Sequence, residues 1–192
     1  MIHLLEKVYR HPDFTKPDLE ILFSRHTKIS FKKNELILRK GQTANAYYII
    51  EDGLIRSFVH DYQGNEITTG FNGKGEIAIE VASLFQRIPT MENMQALSDC
   101  VVWEMNFPAF QELFHSIPPL SEWGRAWMAY QLYLTKKRTT DMITESAAER
   151  YKNLMVEKPQ IVREAPLKYI ASFLGITDTS LSRIRKEIIS QC

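Results

Sequence analysis

Residues 165–190 read APLKYIASFLGITDTSLSRIRKEIIS and carry the most specific pattern in the chain. Pro166 suits a first helical position, where its missing N–H costs nothing. Leu167, Ile170, Ala171 and Leu174 follow at i, i+3, i+4 and i+7, which makes one buried face. Gly175 is placed to end that helix in a left-handed conformation. Thr177 can cap the next helix with its hydroxyl, and that helix buries Leu181, Ile184 and Ile188. At about 100° per residue, Thr179, Ser182, Arg183, Lys186 and Ser190 gather on the opposite face. Small hydroxyls beside cations, with no acid among them, suit a surface that enters a groove. Arginine can grip guanine edges, and hydroxyls reach bases or phosphates. Two short helices joined by a Gly-containing turn form the helix-turn-helix pattern. The candidate contact residues are Thr177, Thr179, Ser180, Ser182, Arg183 and Lys186, with Thr177 and Ser180 suited to phosphate. Asp178 suits the helix dipole as a first-turn acid.

Upstream, Ser146 or Thr144 could cap a helix over AAERYKNLMVEK, which ends before Pro159. Before it, Pro118 and Pro119 open a long helix over about residues 119–142. Leu120, Trp127 and Leu134 recur every seven residues, and Trp123 and Tyr130 hold the other seam position. That a/d spacing fits a self-association seam, although a helix packed on its own domain has the same pattern. Lys136, Lys137 and Arg138 sit where cations suit the helix dipole. The stretch TTDMITES (139–146) is the expected hinge. The domain boundary falls near residue 143, giving units 1–143 and 144–192.

From Ile29 to Met105 the signals are those of strands. AYYII, LIRSFVH, EITTGF and VVWEMN are β-branched or aromatic runs, separated by the turns RKGQ, EDG, YQGN, NGKG and LSDC. Short, closely spaced strands suggest a sandwich, roll or barrel. Residues 3–26 have a helical pattern broken by Pro12 and Pro17, and FPAFQELFHS (107–116) reads as one short helix.

The chain has 192 residues, 44% hydrophobic and 24% charged, as in an ordinary soluble protein. No apolar run suits a membrane span, and the N-terminus is too charged for a signal peptide. Cys100 and Cys192 give neither a disulfide framework nor a CxxC metal pattern, which fits a reducing cytoplasm. Residues 136–192 hold 11 Lys and Arg against 7 Asp and Glu, whereas residues 1–135 hold 13 against 16. A basic C-terminal part on an acidic body hints at an anionic partner.

IASFLGITDTSLSRIRKEI (170–188) closely resembles the helix-turn-helix of the bacterial Crp/Fnr transcription regulators. GQTANAYYIIEDGLIRSF (41–58) resembles that family's β-roll, and GEIAIEVASLF (75–85) its ligand-loop segment. The resemblance covers nearly the whole chain. It implies an α+β fold: a cyclic-nucleotide-binding-like jelly roll with flanking helices, a long dimerisation helix, and a C-terminal all-α helix-turn-helix domain. Many relatives add a terminal β-hairpin wing, and the end at Cys192 leads to the expectation that this chain has none. The family's usual base-contacting positions fall on Asp178, Thr179 and Arg183. The resemblance implies double-stranded DNA and a second copy of the chain as partners, with RNA polymerase and an unknown small-molecule effector as further candidates.

Cyclic-nucleotide binders of this fold need a Gly, a Glu for the ribose hydroxyl, and an Arg for the phosphate, because a buried phosphate without a partner is costly. Gly75 and Glu76 stand at the family's GE. Thr90 and Met91 replace the Arg-Ser pair, and Arg87 lies three residues early. With Thr135 on the long helix, these are the candidate pocket residues, and a usual response to cyclic AMP is not expected. Two cysteines are too few for an iron–sulfur cluster. The five histidines form no haem or metal pattern, so no cofactor and no metal are expected. GxSxG, P-loop, HExxH and dinucleotide fingerprints are absent, which argues against an enzyme. The reading is a dimeric DNA-binding regulator. The alternative is a roll that senses a small molecule and acts through protein partners, with a vestigial DNA-binding domain.

Overall fold

The computed structural model describes residues 2–190. Cys192, and with it the question of a wing, lies outside the described residues. Two short helices lead: α1 (Ile2–Val8) and α2 (Lys16–Ser24). Thr15 caps α2 reciprocally with Asp18, and Pro17 sits in the first turn, where it costs no hydrogen bond.

Eight strands follow: β1 (Thr27–Phe31), β2 (Leu36–Leu38), β3 (Ala46–Asp52), β4 (Ile55–His60), β5 (Glu66–Asn72), β6 (Ile77–Ala78), β7 (Asn93–Ala96) and β8 (Cys100–Asn106). A short helix, α3 (Val81–Gln86), interrupts them. They form two four-stranded antiparallel sheets, ordered β1-β8-β3-β6 and β2-β7-β4-β5. Sequence neighbours β3 and β4 lie in different sheets, so the EDG turn carries the chain from one layer to the other. Ile49, Ile50, Ile55, Ala96, Val102 and Met105 are fully buried in the roll. Cys100 is a buried thiol, pushed up in pKa by that burial.

Beyond the roll the chain is helical: α4 (Phe107–Ser116), α5 (Pro118–Thr144), α6 (Ala147–Glu157), α7 (Pro159–Glu164), α8 (Leu167–Phe173) and α9 (Asp178–Ser190). Asn106 caps α4 and Ser146 caps α6. Among the described residues no strand follows α9, and no helix is long and apolar enough to cross a membrane.

Two hydrophobic clusters organise the molecule. The first fills the roll and collects α1, α2, α4 and the start of α5. Leu120 (0% exposed) and Trp123 (7%) belong to this cluster, and the Trp123 indole N–H donates to the Val8 carbonyl at 2.9 Å. This corrects the expected seam. A residue sealed in its own core, with its polar atom already bonded, is not available to a second copy. Trp127 is half-buried against the same cluster, Leu134 is half-buried beside a cavity, and Tyr130 is 57% exposed. The seven-residue period in this helix is largely an intramolecular stripe.

The second cluster joins both parts of the chain. Tyr151, Leu154, Ile161, Ile170, Ala171, Leu174, Leu181 and Ile184 pack with Leu54, Phe71 and Leu97 of the roll. The C-terminal helices thus use the roll as one wall of their core.

Candidate nucleic-acid interface and adjoining cavity

The turn between α8 and α9 is built by backbone chemistry. The Ile176 N–H donates to Ala171 at 3.0 Å and the Gly175 N–H to Ser172 at 3.1 Å, the two bonds of a Schellman closure. Gly175 has φ +69, and a β-carbon there would fall 2.5 Å from the Met142 methyl, so both backbone and space call for glycine. The Thr177 hydroxyl accepts from the Ser180 N–H at 3.2 Å and lies 3.0 Å from the Ser180 hydroxyl. A cap of this kind contributes about 1 kcal/mol.

On α9, Leu181 and Ile184 are buried and Ile188 is half-buried against the second cluster. Thr179, Arg183 and Lys186 are exposed, and Ser180 and Ser182 are half-buried. The face is less purely cationic than its residue list suggests, because Glu187 lies 4.0 Å from the Arg183 guanidinium, one turn on. An exposed pair at that distance is weak and leaves the Arg183 head free to exchange partners.

The six candidate pocket residues do not converge. Gly75, at φ +84, donates its N–H to Ile50. Glu76 accepts from the Gly73 N–H at 2.8 Å and pairs with Lys158 at 2.8 Å, so it serves a contact between the roll and the α6–α7 junction. Arg87 ends α3 at φ +56. Its guanidinium donates to Ala44 and Asn45 and lies over the Phe107 ring. Thr90 is buried and its hydroxyl bonds the Glu92 backbone, while Met91 is 68% exposed. Of the six, Thr135 alone lines the large cavity.

That cavity, about 540 Å³, lies between β5, α5 and the C-terminal helices. The Glu92 carboxylate lines it, and burial, helped by the nearby Glu80, raises its pKa, against a Thr69 hydroxyl and Arg138 that favour the charge. Arg138, on the other side, donates to Thr69 of β5 at 2.9 Å and to Phe173 of α8 at 3.0 Å, and lies over the Phe173 ring. Sequence reasoning gave Arg138 only a dipole role and passed over Glu92 entirely. No local pattern marks either residue, because three separate segments define the cavity. A second, apolar cavity of about 290 Å³ lies between α3, α4 and α5, lined by residues such as Phe85, Phe110, Trp123 and Trp127.

The C-terminal helices dock through polar as well as apolar contacts. Arg56, fully buried on β4, bonds Gln95 and Glu66, and its guanidinium is held between the rings of Phe58 (4.1 Å) and Tyr169 of α8 (3.4 Å). The Thr68 N–H donates to the Ser172 hydroxyl at 3.2 Å, and that hydroxyl lies 3.0 Å from the Thr68 hydroxyl. Gln160 of α7 bridges two turns of the roll, accepting from the Lys74 N–H and donating to the Gly53 carbonyl.

Comparison with known proteins fits this architecture. Residues 28–116 match the family model of the cyclic nucleotide-binding domain. Electron transport regulator A of Shewanella oneidensis is 25% identical over 171 residues, covering 82% of this chain and 66% of that protein. The chain thus spans just under two thirds of that relative's length. The cAMP-activated global transcriptional regulator CRP of Escherichia coli O157:H7 is 20% identical over 187 residues, covering 92% of this chain and 89% of the relative. The structure of FixK2 from Bradyrhizobium japonicum superposes with a TM-score of 0.76 at 18% identity, over 86% of this chain and 85% of that one.

Proposed function

We propose that this chain, a cyclic nucleotide-binding domain joined to C-terminal helices in the fold of the Crp/Fnr regulators, acts as a dimeric, sequence-specific DNA-binding transcription regulator in the cytoplasm. The observation that carries the reading is the exposed Thr179, Arg183 and Lys186 face of α9, presented by a capped, Schellman-closed turn whose other face is buried. Paired α9 helices would enter successive major grooves, about 34 Å apart, on a near-palindromic site. Arg183 reads base edges, while Thr177, Ser180, Ser182 and Lys186 serve phosphate contact and positioning. The alternative, a roll acting only through protein partners, is not favoured, because the relatives that the chain resembles along most of its length are transcription regulators.

The dimer forms along the outward face of α5. Leu132 (68% exposed) and Ile143 (81%) lie about 20° apart around the helix, with exposed Met128 and Lys136 beside them. This face replaces the Leu120 and Trp123 positions of the expected seam. RNA polymerase is a further partner by analogy with the regulators of this fold.

Cyclic AMP is not the effector in the usual manner. Arg87 is already committed to Ala44 and Asn45, and a carboxylate, Glu92, faces the cavity beside α5. The test of the DNA reading is Arg183→Ala, measured on genomic fragments selected by the intact protein at fixed salt. Loss of one base-gripping arginine is expected to weaken binding by about 1–3 kcal/mol, roughly fivefold to 150-fold. Unchanged binding would overturn it.

A further inference from the structure

Protein interiors are close-packed, with few voids larger than a water molecule. The cavity of about 290 Å³ between α3, α4 and α5 is an exception, and its walls are of one chemical kind. Six aromatic side chains line it: Tyr47, Phe85, Phe110, Phe114, Trp123 and Trp127. Among the described residues no Asp, Glu, Lys, Arg or His does so. The buried rings also spend their polar atoms elsewhere. The Trp123 indole N–H donates to the Val8 carbonyl, and the Tyr47 hydroxyl bonds that of Tyr9. The floor, where Tyr47, Ile77, Phe110 and Trp123 are buried, therefore presents carbon. Val81, Gln86 and Met128 are exposed, so the cavity opens to solvent past them.

Size and wall chemistry narrow the occupant. A cavity of roughly 150 Å³ lined by Leu, Ile and Phe accommodates benzene. About 290 Å³ therefore has room for a substituted ring or a fused pair. The rings of the wall already pack edge to face, Tyr47 on Phe110 at 84° and Phe85 on Phe110 at 61°. A further ring continues that pattern and gains more than its buried area alone supplies. A carboxylate, a phosphate or an ammonium would lose its hydration against carbon, with no counter-ion to replace it.

We propose that this cavity binds a neutral aromatic molecule of one or two rings, held between the aromatic walls of α3, α4 and α5. Ile77, Ile79, Val81 and Trp127 line both this cavity and the larger polar one, so they form the partition between the two. An occupant would press on that partition and, through it, on the space against which α6 and α8 sit. The site stands on the cavity's own geometry, and only a consequence for DNA rests on the regulator reading.

The experiment measures binding of toluene, phenol and indole to the full chain, without DNA, by calorimetry and by the thermal midpoint. Benzoate and benzylammonium serve as charged controls, and cyclohexanol as the non-aromatic counterpart of phenol. At least one neutral aromatic is expected to bind with a Kd on the order of 0.1–1 mM. It should raise the midpoint by about 2 °C at about threefold excess over that Kd. Benzoate and benzylammonium are expected to bind at least about tenfold more weakly, and cyclohexanol more weakly than phenol. Val81→Trp and Gln86→Trp narrow the mouth from exposed positions, and each should weaken binding at least about tenfold with helicity unchanged. Should both fail to fold, tryptophan emission decides. Toluene should change the emission of a Trp103→Phe variant, because the two remaining indoles line the cavity. Four results would overturn the proposal: no neutral aromatic binds, a charged control or cyclohexanol binds equally, a folded mouth variant binds as the wild type does, or toluene leaves the Trp103→Phe emission unchanged. A fifth, conversion of dimer to monomer by toluene in sedimentation, would assign the cavity to a second copy and overturn it as well. Because DNA is absent, failure here leaves the regulator reading intact, and failure of DNA binding leaves the cavity assignment intact.

Discussion

Replacing Phe71 with alanine probes the shared core most directly. Phe71 is on β5 of the roll, almost fully buried, and its ring packs edge-on against Phe173 of α8 at 5.3 Å. Truncating a buried phenylalanine costs about 3–5 kcal/mol. The lower end applies here, because Phe173 is only half-buried and can shift toward the gap. A loss of about 3 kcal/mol raises opening of the affected region more than a hundredfold. The argument requires that this loss reach α8 and α9, which lie a hundred residues away in sequence. All three tryptophans, Trp103, Trp123 and Trp127, sit in the roll and α5, so their fluorescence follows the N-terminal part while amide exchange follows α8 and α9. Phe71→Ala should lower the exchange protection of both helices and shift the fluorescence transition. Full protection of α8 and α9 in the variant would show that they carry a core of their own, and the account of the second cluster would be wrong.

Three other outcomes are expected. Leu132→Glu places a charge on the outward face of α5 and should shift the chain toward monomer in sedimentation while leaving helicity unchanged. A Leu120→Glu variant should instead fail to fold. Gly175→Ala, at positive φ and against Met142, should lower the unfolding free energy by about 1–2 kcal/mol in a denaturant titration; a neutral result would contradict the turn geometry. His26 is buried against Tyr9, and burial lowers its pKa from 6.5 to about 4. The unfolded chain therefore takes up a proton at His26 that the folded chain refuses, so stability is lost as pH falls from 6.5 toward 4, by up to about 3 kcal/mol. His26→Gln should flatten the midpoint over that window, and an unchanged slope would remove His26 as its cause.

Local signals decided a large part of this molecule. The strand runs and turn residues between Ile29 and Met105 mark a compact all-β unit, because β-branched alternation and turn chemistry act within a few residues; that it is a roll was implied by the family resemblance. The Gly175 closure, the Thr177 cap and the Leu181 and Ile184 stripe were equally legible, since each depends on neighbours no more than five positions away. The period of Leu120, Trp123 and Trp127 was legible as well, but its partner was not: a seven-residue stripe has the same sequence whether it meets a second copy or its own domain.

Tertiary structure decided what the buried charges do. Glu92, Arg138 and Arg150 are ordinary surface-type residues in sequence, and they become part of the polar lining of one cavity only because the segment before β7, α5 and α6 converge. Arg87 shows the converse. It lies five residues from Glu92 and looked like a displaced phosphate partner, but the left-handed end of α3 turns it outward onto Asn45 and Phe107. The sequence by itself determined which elements form and which face of α9 stays polar, because those follow from backbone periodicity and capping. Only the folded chain determined that the C-terminal helices lean on Leu54, Phe71 and Leu97, because burial is settled by whichever apolar surfaces the whole topology brings into contact.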